Sequence, residues 1–293
     1  MQSQGGSCRA HRLAGFGWIE MGLAALCVVV GGLEILASGP LDAADAAFVE
    51  RTVDERLFEA IALYEQALAD DATLTDGERA HALNRLAQLC YEATTLVVGD
   101  TPEDRALFER GKASGLNSLR LDPAFGDLEA DGFAEAVAAA TDVAALLWTA
   151  NNWGGLLGVD PIQGLLHFGK ARRLYERVLE LDEAYWGASA HNALGALLVV
   201  TPTTLGGDPE AGRHHLESAI AIAPDYLINR VVYAQYWGFT YNLFGGRAGV
   251  RDVALIDEQL AFVDAAEIGD WPFWNREAKR ETALVRQWLS TFD

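Results

Sequence analysis

The sequence predicts an all-α chain of degenerate helical hairpins, stacked in a curved array with a ligand cleft. Three observations carry that prediction. Apolar residues recur at helical spacing along most of the chain beyond residue 46. Helix starts repeat one grammar: Thr101-Pro102-Glu103-Asp104 and Asp208-Pro209-Glu210 each place proline and acids just after a capping side chain. Alternating β-branched runs, the mark of strands, are absent.

The first element is not part of that array. Arg9 and Arg12 precede "MGLAALCVVVGGL" (21–33), and Ala44-Asp45-Ala46 fits a small-x-small cleavage site. Residues 1–46 read as a signal peptide or a retained N-terminal membrane anchor. The apolar run is shorter than the roughly 20 residues of a membrane-spanning helix. Cys27 raises lipidation, but Leu26 before it and valines after it make a poor lipobox. Residues 47–293 read as a single helical domain.

Next come two amphipathic segments. "VDERLFEAIALYEQALADD" (53–71) lines up Leu57, Ile61, Tyr64 and Leu68. "DGERAHALNRLAQLCYEATTLV" (76–97) does the same with Leu83, Leu86, Ala87, Cys90 and Tyr91. The short turn "ATLTDG" between them predicts a helical hairpin. Cys90, on the apolar stripe, reads as an inert core thiol. A phrase then recurs: "ALYEQALADDATL", "SGLNSLRLDPAFG", "RLYERVLELDEAYWG" and "HHLESAIAIAPDYL". Each is an amphipathic helix closed by an acid or proline turn, like the second helix of a tetratricopeptide repeat. The copies are irregularly spaced, so the repeats are degenerate and carry insertions. After them, 226–246 is dense in aromatics, and a final helix follows Pro272, with Trp271 and Trp274 as packing residues at its entry.

Charge and motif content narrow the function. Net charge is −20, and 20 basic against 38 acidic residues remain beyond residue 46. Such a chain repels phosphate backbones, so no nucleic acid partner is expected. The three cysteines give no disulfide framework or metal spacing. No nucleophile elbow, phosphate loop, dinucleotide fingerprint or zinc helix motif occurs, and no cofactor is implied. His214 and His215 are adjacent, which makes a poor chelate and reads as a solvated pair. The sequence therefore predicts a binding protein rather than an enzyme.

The binding candidates are aromatic. "LLWTANNWGG" (146–155) sets Trp148, Asn151, Asn152 and Gly155 on one side of a helix, beside Trp153. Such a face must either hold something polar within an apolar surface or admit another backbone closely. Tyr185, Trp186, Tyr233, Tyr236 and Trp237 cluster near helix ends, and His191 follows Trp186 by five residues. Rings for area and carboxamides for orientation are what a small-molecule pocket needs. Gap-filling between helix pairs, and a satisfied core histidine, are the plainer readings of the same residues.

"ALLWTANNWGGLLG", "LELDEAYWGASAHNALG" and above all "PTTLGGDPEAG" resemble the T-component family of TRAP transporters, over roughly residues 55–290. The resemblance implies a periplasmic all-helical protein, often trimeric, with a hydrophobic cleft facing a substrate-binding protein. Related helical proteins serve bacterial sterol and lipid trafficking, so the implied ligand is apolar or amphipathic. It carries Trp148, Asn151, Asn152, Trp153, Tyr185, Trp186 and His191 over as cleft-lining candidates. Two functions stay open: a periplasmic carrier holding such a ligand, and a protein-interaction scaffold that holds none.

Overall fold

Thirteen helices and one small hairpin make up the described residues of the computed structural model, which are 39–70, 73–96, 102–129, 132–242 and 245–292. They belong to one unit beginning at Ser38. Cys8, Cys27 and the apolar run of the expected leader lie outside the described residues, as do Thr101 and Phe244.

The helices are α1 (Asp42–Val49), α2 (Asp54–Ala69), α3 (Asp76–Thr94), α4 (Pro102–Leu119), α5 (Pro123–Glu129), α6 (Phe133–Ala139) and α7 (Val143–Val159). Then come α8 (Pro161–Leu181), α9 (Tyr185–Val200), α10 (Pro209–Ile222), α11 (Ile228–Trp237), α12 (Val253–Ala265) and α13 (Pro272–Leu289). The all-α class holds. Sequence neighbours pack on one another from α1 to α4 and from α7 to α13, while α7 also meets α3, α4 and α9. Side chains start the helices as their residue types dictate. Thr75 and Glu78 form a reciprocal capping box on α3, and Asp142, Asp208 and Asp252 accept from the first-turn amides of α7, α10 and α12.

Two features depart from the sequence reading. Strands β1 (Phe239–Tyr241) and β2 (Arg247–Val250) form an antiparallel hairpin with a bulge at Thr240/Tyr241. Strands of three and four residues are too short to show alternation, and aromatic density hid them. The other departure is α1. The expected cleavage triplet Ala44-Asp45-Ala46 lies inside a packed helix: Leu41, Ala44 and Ala47 are buried, and Asp45 accepts from the Tyr64 hydroxyl and meets His81 Nε2 at 2.7 Å. A cut after Ala46 would divide that helix and remove those bonds.

The tract "LLWTANNWGG" belongs to α7, and α7 has no exposed face there. Every residue from Ala145 to Trp153 is buried. Neighbours on several sides replace the one-sided burial that helical periodicity predicts. The glycines explain how. On α4, a Cβ at Gly111 would stand 2.1 Å from Asn152 Oδ1, and one at Gly115 would stand 2.1 Å from Thr149 Oγ1. On α7, a Cβ at Gly155 would fall 2.2 Å from the Phe108 ring. The two helices interlock through small residues. Asn152 is fully buried and donates through Nδ2 to the carbonyls of Ala87 (2.8 Å) and Trp148 (2.7 Å), joining α3 to α7. Of the two reasons for the tract, close backbone approach is the one the packing displays.

Candidate ligand site

The site begins with a backbone anomaly. Trp186, Gly187 and Ala188 are all left-handed, with φ of 51°, 67° and 60°. For residues with a side chain this conformation costs roughly 1–2 kcal/mol each, so it persists only where surroundings enforce it. Asn229, 1% exposed, supplies the enforcement. Its Nδ2 donates to the Gly187 carbonyl at 2.9 Å and the Ala219 carbonyl at 3.0 Å, and its Oδ1 accepts from Asn192 Nδ2 at 2.6 Å. Ser189 Oγ donates to the Trp186 carbonyl. Gly187 lies flat against Tyr226, where a Cβ would sit 2.4 Å from the ring.

The turn aims Trp186 into a closed circuit of six rings. Centroids run Tyr91–Trp148 6.2 Å, Trp148–Trp186 5.4 Å, Trp186–Trp271 5.8 Å, Trp271–Tyr226 4.7 Å, Tyr226–Trp274 6.5 Å and Trp274–Tyr91 5.9 Å. Trp148, Tyr226 and Trp274 are buried, whereas Tyr91, Trp186 and Trp271 keep accessible surface. The indole N–H groups of Trp186 and Trp274 are buried without acceptors. Burial pushes the Tyr91 phenol well above its ordinary pKa, with Tyr236 and Glu281 near enough to add to the effect. Burial also raises Tyr236 and Glu281, and Glu281 accepts from Gln235 Nε2 at 2.6 Å. The result is an aromatic wall with neutral hydrogen-bond donors. It can contact apolar surface and orient a single polar group.

The ten residues expected to line one cleft do not converge. Trp148 and Trp186 belong to the ring, Tyr185 packs on Trp186, and Tyr236 lies near Tyr91 while stacking on Tyr241. Asn151 and Asn152 are core residues of α7 whose Oδ1 atoms lack donors. Trp153 is elsewhere, against Phe133 and His167 and beneath Lys112 and Lys170. Tyr233 donates to Glu217, and Trp237 lies under Arg251 and Arg213. The ring members Tyr91, Tyr226, Trp271 and Trp274 were not among the ten. Trp271 and Trp274 read as packing at a helix entry, and no spacing links Tyr91 to residues more than a hundred positions on.

His191 meets His215 instead of the ring, Nδ1 to Nδ1 at 2.8 Å. His215 is thus turned inward, not solvated as its place beside exposed His214 led one to expect. Packing of α9 on α10 decides this, which adjacency in sequence does not show. Beside the pair lies a groove of about 580 Å³, lined by Arg172, Glu176, the Gly206-Gly207-Asp208 loop and His215 itself. Burial first, then the charges of His191, His214 and Arg172, press the His215 pKa down to about 4, while Glu176 opposes them. A histidine depressed below its unfolded value near 6.5 makes the unfolded chain bind more protons between those two values. Stability is therefore expected to fall as pH drops from about 6.5 to about 4. His215→Gln should flatten that limb of a Tm-against-pH curve; a parallel curve would count against the buried pair.

The loop at that groove carries the most distinctive stretch of the chain. Thr203–Leu205 form a single 3-10 turn, Gly206 is left-handed at φ 95°, and Asp208 N donates back to the Leu198 carbonyl before capping α10. Residues 101–242, which span α4 through β1, match the family model of the TRAP transporter T-component. Over that segment the chain is similar to the T-component family. No curated protein matches it. The T-component segment includes the α7 tract, the left-handed turn, the Gly-Gly-Asp-Pro loop and three ring residues, Trp148, Trp186 and Tyr226. Tyr91, Trp271 and Trp274 complete the ring from outside it. Among the described residues no helix is long and apolar enough to cross a membrane, and no three His, Cys, Asp or Glu side chains gather as a metal site.

Proposed function

We propose that this TRAP transport component is a periplasmic carrier that holds an apolar or amphipathic small molecule against the six-ring circuit. It would work with a periplasmic substrate-binding protein, after export on its N-terminal segment or anchorage by it, and as a trimer in the manner implied by the family resemblance. The degenerate hairpins would stack as tetratricopeptide pairs and shape the cleft. The observation that carries the reading is the ring itself. Three of its six members keep accessible surface, and two indole N–H groups lack acceptors, in a place where the backbone is held strained. A circuit serving packing alone would close over those rings and satisfy those donors.

Native mass spectrometry of protein purified from its own host, followed by organic extraction, tests this. A stoichiometric lipid or sterol-like adduct is expected, lost in Trp186→Ala while far-UV circular dichroism stays unchanged. An adduct that persists in Trp186→Ala moves the ligand away from the ring. No adduct, and no tryptophan quenching by added fatty acids or sterols, leaves the scaffold reading, in which the chain grips a protein partner and holds no ligand.

A further inference from the structure

The chain bears a net charge of −20, yet one pocket gathers cations. A pocket of about 380 Å³ opens where the start of α2, the end of α3 and the first turns of α13 meet. Arg276, Lys279 and Arg280 line it, and Leu96, Ile268 and Phe273 give it an apolar wall. Lys279 Nζ donates to the carbonyls of Val263 (2.9 Å) and Asp264 (3.0 Å), which fixes the ammonium and leaves it one N–H. Arg280 pairs with Glu277. Arg276 has no ion pair or hydrogen bond among the described residues, and neither has the Thr52 hydroxyl on the facing wall. Arg276 is exposed, so its guanidinium is open to a ligand. One acid, Asp54, lines the pocket and opposes the cations.

We infer that this pocket is a second binding site, taking a small anionic head group that carries an apolar tail. The head would accept from Arg276, Lys279 and Thr52; the tail would cover Phe273, Leu96 and Ile268. A bare anion would leave the apolar wall uncovered, and a neutral alcohol would forgo the charge-assisted hydrogen bonds that Arg276 can make. The volume lies in the range of small-molecule sites and suits a short chain rather than a full lipid. Phe273 touches Trp274 at 5.3 Å, but no ring member lines the pocket, so the site goes beyond the carrier reading and stands if the ring is empty.

Calorimetric titration of the full chain with octanoate, octyl phosphate, octanol and acetate tests the proposal. At least one octyl anion is expected to bind, with octanol and acetate about tenfold or more weaker. The tighter anion names the head group. Arg276→Ala should weaken octyl-anion binding about tenfold and Asp54→Asn should strengthen it about threefold, both changes shrinking as salt rises. Trp186→Ala should leave the affinity unchanged. Octanol binding as tightly as octanoate overturns the proposal, as do unchanged affinities in Arg276→Ala and Asp54→Asn, or no binding of either anion at millimolar concentration. Loss in Trp186→Ala with retention in Arg276→Ala also overturns it and places the anion at the ring, so the two sites fail separately.

Discussion

Gly111→Val is expected to destabilise this protein more than any other single exchange considered. A Cβ there would stand 2.1 Å from Asn152 Oδ1 and 2.4 Å from its Cγ, a distance that real contacts do not reach. Asn152 cannot swing away, because its Nδ2 is held by the Ala87 and Trp148 carbonyls. Either α4 moves off α7 or Asn152 gives up those bonds inside a dry core. Overpacking costs roughly 1–3 kcal/mol, and stranding buried hydrogen-bonding groups costs roughly 1–3 kcal/mol more. Together they give a loss of about 2–6 kcal/mol, a large share of the roughly 5–15 kcal/mol that holds a typical domain. Urea denaturation reads it directly. Gly158→Ala is the matched control on α7. Nothing lies within 4 Å of a Cβ there, so it should raise stability by about 0.5 kcal/mol. A Gly111→Val midpoint within experimental error of wild type would mean that α4 and α7 do not interlock.

Asn229→Ala is the second, and it joins stability to the proposed function. The exchange removes two donated bonds and one accepted bond from a residue 1% exposed, and leaves Asn192 Nδ2 without its acceptor. A loss of about 3 kcal/mol is expected. The larger consequence is local. Without Asn229 the Gly187 carbonyl has no clamp, and the left-handed turn can relax toward ordinary helix. Trp186 then leaves the ring, since its direction depends on that turn. Apolar-ligand retention should drop at urea concentrations far below the unfolding midpoint, and tryptophan emission should shift red as an indole becomes wet. Asn192→Ala removes only one of the three bonds, so its effect should be smaller on both readouts. Retention that tracks global stability alone in both variants would reduce Asn229 to a packing residue.

Much of the helical framework was legible because it depends on near neighbours. Leu57, Ile61 and Tyr64 on α2, and Leu83, Leu86 and Cys90 on α3, are core residues where periodicity placed them. Asp208 caps α10 and Pro209 opens it, since a cap reaches only three residues. The burial that pushes the Cys90 thiol up to about 12 also fits its apolar stripe. Periodicity failed at α7, where a helix packed on several sides has no polar face to report. It failed again at β1 and β2, neither longer than two full alternations. The candidate site was legible only in part. Trp148 and Trp186 stood out as unusual residues, but the reading spread the site over Trp153, His191, Tyr233 and Trp237, which serve three other places.

By itself the sequence determined the all-α class, the start of α10, the acidic composition and the family that residues 101–242 match. Each of these is written in spacings of a few residues or in composition. Only the tertiary structure decided that Asn152 joins helices, that Trp186 is held in a left-handed turn, and that six rings from α3, α7, α9, α13 and the α10–α11 and α12–α13 loops close into one circuit. The reason is reach. Asn229 enforces the turn from 42 positions away, and Tyr91 meets Trp274 across 183 positions, distances over which side-chain periodicity carries no signal.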